Sequence, residues 1–348
     1  MSTEHSQEIT TAAMPLRWIG PIRLASPEGM EDVLVPLATY ETPLWPSVGR
    51  GAKVSVAAGG IQATVVDERM TRSVLVEAPG AAEAVRVAVE LRRRETEVAA
   101  VVEGTSRHLR FLALNTQQAA NLLYLRIEGH PGEASGHNML TKAAEAFLEW
   151  LLKEYPSLKY VSISGNYCTD KKASAVNGIL GRGRHVIAEL TISREICEKL
   201  LRTTPEKMAD LNIKKNLIGT MLAGGLRSAN AHFANMLLAF YLATGQDAAN
   251  IVEGSQGLTH AEVRDGALYF SVSLPHLIVG TVGSGKDLDF VRANLERMGC
   301  AGEGGARRLA VLCAAAVLCG ELSLLAAQTN PGELMRSHLK LERKMARR

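Results

Sequence analysis

Residues 164–172, with the sequence SGNYCTDKK, combine the side chains in this chain that are best suited to catalysis. They follow YVSI, a β-branched and aromatic run that predicts a strand, and precede ASAVN, which predicts the start of a helix. A lysine held beside a carboxylate, as Lys171 is beside Asp170, keeps its charge and can stabilise an oxyanion. A solvated turn with one weak surface ion pair explains the same residues. The segment alone therefore indicates either a site for an anionic, carbonyl-bearing ligand or an ordinary turn.

Three further places carry polar residues that composition does not require. The first is Glu41, which follows a predicted strand. The second is the group formed by Lys215, His232, Asn235 and Asp247. The third is Arg336-Ser-His338 in the last predicted helix. Taken singly, each also fits an exposed glutamate, a capping aspartate or a surface histidine.

The glycine-rich segment GTVGSGKD at residues 280–287 matches the spacing of a phosphate-binding P-loop. It has Asp287 where such a loop needs Ser or Thr for magnesium, and a carboxylate there would repel the phosphates. The segment therefore does not indicate a nucleoside triphosphatase. A glycine-rich turn whose amides meet the phosphates of a cofactor remains compatible with it.

Composition restricts the function classes. The chain has 348 residues, 47% of them hydrophobic, 5% aromatic, and a net charge of +3, so we expect two domains and no nucleic-acid partner. The five cysteines form no CxxC pair or zinc-like cluster, which predicts reduced thiols and a cytoplasmic location. The longest apolar run, residues 309–328, predicts a buried helix, and we expect no membrane segment.

The coarse pattern predicts an α+β fold. Strand, helix, strand, strand, helix and strand follow one another between residues 73 and 162, the order of a ferredoxin-like split βαβ unit. Residues 52–66 predict a β-hairpin around Gly59-Gly60, and residues 215–244 predict one long helix. The expected organisation is a disordered terminus at 1–15, a large domain at 16–72 and 163–330, an inserted small domain at 73–162, and a C-terminal flap helix with a basic tail at 331–348.

Together these segments resemble the 3-hydroxy-3-methylglutaryl-coenzyme A (HMG-CoA) reductase family, in particular its NADPH-using eukaryotic and archaeal class. The similarity runs from about Ile19 to His338. Its motifs are SGNYCTDKK at 164–172, GRG at 181–183, NIKKN at 212–216, NAHFAN at 230–235, GQD at 245–247, GTVG at 280–283 and RSH at 336–338. The resemblance implies reduction of HMG-CoA to mevalonate and free CoA in a large substrate domain with a small ferredoxin-like cofactor domain.

The resemblance also implies roles for four catalytic residues. Lys171 would stabilise the oxyanion, and Glu41 would donate a proton to the mevaldehyde oxygen. Asp247 would tune both of these groups, and His338 would protonate the departing CoA thiolate. The same residue types are what a thioester reduction needs, with no metal required.

Binding residues follow from the same resemblance. Those for the HMG carboxylate and hydroxyl are Arg72, Ser164, Asp170, Lys172 and Lys215, with Asn235 as a support and Ser47 and Arg50 on the CoA side. Those for the cofactor are Ser106, Arg107, Glu133, Ser135, Gly136, Asn138, Val282, Gly283, Ser284 and Gly285, with Ser106 and Arg107 on the 2′-phosphate. NADPH is the implied cofactor, and NADH is a possible substitute.

Two loops depart from the family pattern. The family motif DAMGMN reads EASGHN at 133–138, and GTVGGGT reads GTVGSGK at 280–286. These departures keep two alternatives open: a non-reducing relative that binds acyl-CoA or nucleotide, and a reductase of a different acyl-CoA. The resemblance further implies a homodimer or tetramer with shared active sites, in which Glu41 and Lys171 come from one subunit and Asp247 from another.

Overall fold

The computed structural model describes residues 12–335 and residue 339. Its strands are β1 Leu16–Ser26, β2 Gly29–Ala38, β3 Gln62–Glu77, β4 Arg110–Ala119, β5 Leu122–His130, β6 Lys159–Ser162, β7 Gly183–Ile192, β8 Ser228–Ala229, β9 Gly257–Arg264 and β10 Ala267–Leu277. Its helices are α1 Leu44–Ala57, α2 Ala81–Arg93, α3 Glu95–Glu103, α4 His137–Glu154, α5 Ala175–Leu180, α6 Arg194–Ile196, α7 Pro205–Leu211, α8 Thr220–Leu222, α9 Phe233–Ala243, α10 Ile251–Gly254, α11 Asp289–Arg297 and α12 Gly305–Gln328. Short π-helical segments, Cys197–Leu201 and Asn212–Gly219, continue α6 and α7. The fold is therefore mixed α+β.

Strand β3 belongs to two parts of the main sheet. Its first half, residues 62–69, pairs with β7, and β7 continues the sheet through β10, β9 and β8. Its second half, residues 70–77, pairs with β5, while β4 lies beyond β5 and β6 pairs with the end of β3. Strands β1 and β2 form a separate antiparallel pair.

The buried side chains form two apolar clusters, one on each part of the sheet. The larger cluster gathers residues from α1, α9, α12, β7 and β10. The smaller gathers residues between Met70 and Leu158, from β3, β5, α2, α3 and α4, together with Ile278. Each part of the sheet thus buries its own face beneath helices, as a packed layer requires.

Helix α12 is the centre of the larger cluster. By length and composition it is long and apolar enough to cross a membrane, but 89% of its most apolar window is buried inside the protein. A helix that is apolar on all sides belongs in a core when other elements surround it. The prediction that the apolar run at 309–328 forms a buried helix is confirmed, and the whole helix extends from Gly305 to Gln328.

The predicted hairpin at residues 52–66 is wrong, because residues 44–57 form α1. Leu44, Val48, Gly51 and Ser55 are buried at helical spacing, a pattern that the β-branched sequence KVSV obscured. Gly51 lies directly against α12, where a Cβ atom would be 2.1 Å from the carbonyl oxygen of Cys319. Tertiary packing therefore outweighed the local strand propensity.

Gly51→Ala is expected to destabilise the protein by about 1–3 kcal/mol, because backbone atoms of α12 must move to admit the methyl group. Gly49→Ala is the matched control on the same helix, since its Cβ would meet only Ile19 Cγ2 at 3.9 Å. It should gain about 0.5–1 kcal/mol from helix propensity. Urea denaturation of both variants measures the difference, and equal midpoints would contradict this packing.

The long helix predicted at residues 215–244 is also wrong as one element. The helical chain that starts at Pro205 ends at Leu222, and α9 begins at Phe233. Gly224 and Arg227, with φ of +73° and +53°, lie in the left-handed region and reverse the chain between the helices. His232 consequently stands at the N-terminus of α9 rather than within a helix.

Two sequence predictions lie outside the described residues. The first is the predicted disorder of the N-terminus, as far as it concerns residues 1–11. The second is the predicted catalytic residue His338, together with Arg336 of the same motif.

Candidate active site

The candidate site centres on an ion pair between Lys171 and Asp247. The Lys171 Nζ atom lies 2.7 Å from Asp247 Oδ2, and the two side chains are 39% and 46% exposed. Residues 164–172 form a tight irregular segment in which Asn166, Thr169 and Lys171 all have positive φ. Asp247 is fixed by its other oxygen, which accepts a hydrogen bond of 3.0 Å from the N–H of Ala249.

Each member of this pair favours the charged form of the other. The hydrogen bond to Asp247 raises the pKa of Lys171, although burial opposes the shift. Partial burial acts to raise the pKa of Asp247, but the bonds from Lys171 and the Ala249 N–H outweigh it and the pKa is lowered. The site therefore presents an ammonium group that stays protonated at neutral pH.

Arg182 is buried next to residues 170–171 and holds this part of the 164–172 segment in place. Its side chain is 1% exposed, and its Nη2 atom lies 2.6 Å from Asp170 Oδ1. Its Nε atom lies 3.4 Å from Oε1 of the fully buried Glu253, whose other oxygen accepts a hydrogen bond of 2.7 Å from the Lys171 N–H. Burial raises the pKa of Glu253, which Arg182 opposes.

Asp170 is a carboxylate that its surroundings keep ionised. Burial acts to raise its pKa, but His137, Arg182 and Lys171 together lower it well below the usual range. The His137 Nε2 atom lies 3.6 Å from Asp170 Oδ1. Nε2 is buried, and in the described part of the chain it has no hydrogen-bond partner.

Two of the predicted acyl-binding residues, Asp170 and Lys172, flank Lys171 in the chain, and two others, Arg72 and Ser164, contact each other. Arg72 donates to Ser164 Oγ at 3.4 Å and to Thr141 Oγ1 at 2.7 Å. Its Nε atom is buried and has no partner within the described residues. Asp170 adjoins Lys171, and the exposed Lys172 folds back so that its Nζ donates to the Asp170 carbonyl at 3.1 Å.

The 133–138 loop and the 280–286 loop lie side by side next to this pair. Ala134 and Val282 form a parallel β-bridge, and the Thr281 N–H donates to the Glu133 carbonyl at 2.8 Å. The predicted residues Ser135, Gly136, Asn138, Gly283, Ser284 and Gly285 lie on these two loops or at the start of α4. Gly136 needs to be glycine, because φ is +95° and a Cβ would lie 2.8 Å from Met70 Cβ.

Glu133 has a structural function that its residue type did not reveal. Its carboxylate accepts hydrogen bonds from the backbone N–H groups of Gly304, at 2.8 Å, and Ala306, at 2.7 Å. It therefore caps the N-terminus of α12, where backbone donors lack partners within the helix.

A second group of predicted residues gathers around the middle of α12. Ser323 Oγ lies 3.1 Å from Ser47 Oγ and 3.0 Å from Arg50 Nε. The Glu321 carboxylate accepts from the N–H groups of Ala231 and His232, and from Thr259 Oγ1. The remaining predicted residues of this group are Asn235, 3.4 Å from the His232 ring, and the half-buried Lys215, whose pKa burial lowers while Glu321 opposes the shift.

Three predicted residues belong to neither group by their contacts. Glu41 is exposed on the loop between β2 and α1, where its carbonyl accepts from the Leu44 N–H at 3.0 Å. Ser106 and the exposed Arg107 follow α3, and Arg107 Nε donates to His108 Nε2 at 2.9 Å.

The predicted division of the site between subunits needs correction. Lys171 and Asp247 were expected on opposite sides of an interface, but they form their ion pair within one chain. The short turn after α9 brings Asp247 to Lys171 because Gln246 anchors it to Gly280 through two hydrogen bonds.

One group of side chains among the described residues has metal-like spacing. Ligand atoms of His137, Asp170 and Glu253 lie within 4.8 Å of one another. Arg182 already contacts both carboxylates, so a protein cation balances their charge. The expected absence of a metal stays a prediction.

Sequence reasoning missed the roles of Arg182, Glu253 and Gln246. Arg182 stands between Gly181 and Gly183, both at positive φ, and this GRG pattern was the available signal for a specially shaped segment. Glu253 follows Ile251 and Val252, an apolar context that is unusual for a glutamate.

Comparison with known proteins gives a consistent result. The family model for hydroxymethylglutaryl-coenzyme A reductase matches residues 5–343. The 3-hydroxy-3-methylglutaryl-coenzyme A reductase of Pyrococcus horikoshii is 44% identical over 92% of this chain and 79% of its own length. That of Methanocaldococcus jannaschii is 39% identical over 95% and 82%. The fold is similar to a solved class II reductase from Streptococcus pneumoniae bound to NADPH, with a TM-score of 0.76, 20% identity, and coverage of 93% and 87%.

Proposed function

The chain belongs to the hydroxymethylglutaryl-coenzyme A reductase family, and from this premise we propose how it reduces HMG-CoA in the mevalonate pathway. The reaction is the four-electron conversion of HMG-CoA, two NADPH and two protons to mevalonate, free CoA and two NADP⁺. The observation that supports the residue assignment is the Lys171–Asp247 ion pair. Lys171 adjoins the predicted acyl-binding residues Asp170 and Lys172, and the turn that carries Asp247 contacts the 280–286 loop at Gly245.

Lys171 acts first on the thioester carbonyl. Its ammonium group stabilises the negative charge that develops on the carbonyl oxygen in each reduction step. NADPH supplies the hydrides when it is bound. Asp247 keeps Lys171 charged and oriented through the 2.7 Å contact. Glu41 donates the proton to the mevaldehyde oxygen, and His338 protonates the CoA thiolate as it leaves.

The acyl group binds beside Lys171 in this proposal. Arg72 and Lys172 supply positive charge for the HMG carboxylate. The buried Nε atom of Arg72 has no hydrogen-bond partner in the part of the chain that the structure describes. Ser164 and Asp170 hold the hydroxyl. Lys215 and Asn235, with Ser47 and Arg50 on the CoA side, belong to the second group around α12.

The two loops fit a nicotinamide cofactor. A Cβ on Gly283 would meet nothing within 4 Å, so the loop leaves open space there. Gly136, Ser135, Asn138, Val282, Ser284 and Gly285 would line the cofactor, while Glu133 supports the loop through α12. Ser106 and Arg107 would contact the 2′-phosphate, which NADPH has and NADH lacks. This contact favours NADPH as the cofactor, and it favours membership in the NADPH-using eukaryotic and archaeal class of the family.

The domain organisation is part of the proposal. The order β4-β5-β3-β6 with two helical connections is that of a ferredoxin-like unit, which supports a cofactor domain at 73–162. The separate apolar clusters support a large domain at 16–72 and 163–330. The N-terminal segment would be residues 1–15, and the flap that carries His338 would be residues 331–348.

We further propose a homodimer or tetramer in the cytoplasm. The segment from Asn212 to Leu226 exposes apolar side chains, with Met221 70% and Leu222 80% exposed, and nearby Ile179 is 71% exposed. A patch of this kind favours a protein partner, and a second copy would bring its α12 group to complete the site around Lys171. The five buried, unpaired cysteines favour a reducing compartment.

Purified protein with HMG-CoA is expected to oxidise two NADPH for each CoA released, measured by absorbance and by thiol titration. Parallel assays with NADH and with a panel of other CoA thioesters test the cofactor and the acyl group. Tight HMG-CoA binding without oxidation of either nicotinamide would contradict the proposal and favour a non-reducing relative. Turnover of another thioester alone would contradict the assignment of HMG-CoA.

A further inference from the structure

Lys286 is a lysine that turns into the protein at the end of the 280–286 loop. It is 9% exposed, and its ammonium group donates a hydrogen bond to the carbonyl oxygen of Gly245. Gly245 begins the turn that carries Asp247, the partner of Lys171. One buried side chain therefore joins the 280–286 loop to the turn that sets the charge of Lys171.

The same loop and turn are joined at a second point. The Gln246 side-chain amide donates to the Gly280 carbonyl at 3.1 Å and accepts from the Gly280 N–H at 3.0 Å. The backbones are also in direct contact, because a Cβ on Gly245 would lie 2.5 Å from the carbonyl oxygen of Gly285. The 280–286 loop is thus fixed to the 245–247 turn at both ends.

This arrangement explains the lysine of the GTVGSGK segment. In a P-loop that lysine extends toward phosphate groups. Here the ammonium group is buried on a backbone carbonyl instead. Burying an ammonium group costs free energy, because the group loses its hydration. The hydrogen bond to the Gly245 carbonyl offsets part of that cost, so it fixes where the Lys286 side chain lies.

We propose that Lys286 is a positioning residue that couples the 280–286 loop to Asp247, and through Asp247 to Lys171. The inference rests on the proposed function, because it takes the 280–286 loop as part of the NADPH site. A cofactor that orders this loop then also orders the acid that holds Lys171. Loss of the coupling should weaken NADPH binding and lower kcat together.

The proposal predicts a pH dependence with a definite sign. Burial lowers the pKa of Lys286 to about 8, although Asp247 opposes the shift. The other charged groups that line the adjacent cavity of about 300 Å³ are Glu133, Arg292 and Glu296. Below pH 8 the ammonium group makes a charge-assisted bond, and above it the neutral amine makes a weaker one. NADPH affinity should therefore fall as pH rises through 8.

NADPH titrations by fluorescence between pH 6 and 9.5 test this for the wild type, Lys286→Met and Lys286→Gln. Lys286→Met should weaken binding about tenfold at pH 7 and remove the decrease above pH 8. Lys286→Gln, which can donate but does not titrate, should bind more tightly than Lys286→Met at pH 7 and also lack the decrease. Lys207→Met, at an exposed lysine on α7, is the control and should behave as the wild type.

Hydrogen exchange on the ligand-free protein gives a readout that does not depend on turnover. Lys286→Met should exchange faster than the wild type at residues 245–250. Unchanged exchange, or an alkaline decrease in NADPH affinity that persists in Lys286→Met, would overturn the proposal. If the wild type fails to oxidise NADPH with HMG-CoA, the proposed function fails, while the exchange data still decide whether Lys286 holds the turn.

Discussion

Lys171→Met is expected to lower kcat for HMG-CoA reduction by about 10³-fold or more, because it removes the group that stabilises the oxyanion. The variant should remain folded, since Lys171 is partly exposed and its backbone N–H still bonds to Glu253. Steady-state and single-turnover assays measure the loss. Because the pKa of Lys171 is raised above its ordinary value of 10.5, Lys171 should stay protonated at any pH well below that value. Activity should therefore not fall in that range through deprotonation of Lys171.

Two comparisons make the Lys171 result specific. Lys172→Met should mainly raise the KM for HMG-CoA, because Lys172 is assigned to the acyl carboxylate rather than to the oxyanion. Lys159→Met, at an exposed position on β6, should leave both constants unchanged. A Lys171→Met enzyme with more than a tenth of wild-type kcat would refute the assignment.

Arg182→Met should destabilise the protein by about 3–5 kcal/mol and abolish activity with it. The substitution leaves two carboxylates, Asp170 and the buried Glu253, without their common cation, and an uncompensated buried charge costs this much. It also loosens residues 170–171, because Arg182 binds the Asp170 side chain and the Glu253 carboxylate that accepts the Lys171 N–H. Urea denaturation followed by circular dichroism measures the effect.

Arg194→Met is the matched control for Arg182→Met. Arg194 forms an ion pair with Glu206 on the surface, where both side chains are about half exposed and solvent screens the interaction. Its denaturation midpoint should therefore stay close to that of the wild type. Similar midpoints for the two variants would show that the buried ion pairs of Arg182 contribute no more to the free energy of unfolding than the exposed pair of Arg194.

Much of the fold followed from the sequence because hydrophobic periodicity and tertiary packing agreed. The strands and helices predicted between residues 73 and 162 follow one another in the predicted order, and the buried helix α12 is present. The prediction failed at α1, where β-branched residues occur in a helix whose glycine packs against α12. It also failed between α8 and α9, where a left-handed turn interrupts an apolar, alanine-rich stretch.

The site shows a similar limit. Residue types drew attention to Lys171 and Asp247, and the family resemblance implied that they act together. They meet in space although 76 positions separate them in the sequence. Nothing local indicated that they would pair within one chain, or that Glu133 would cap α12. Such contacts depend on which loops the fold brings together, and a single sequence contains no direct record of that.

Strand β3 joins the two apolar clusters through one continuous main chain. Its register with β7 shifts between Val65 and Asp67, immediately before the point where it passes from one apolar cluster to the other. A bulge bends a strand without breaking it, so the two halves of β3 can face two different cores while the main chain between them stays continuous.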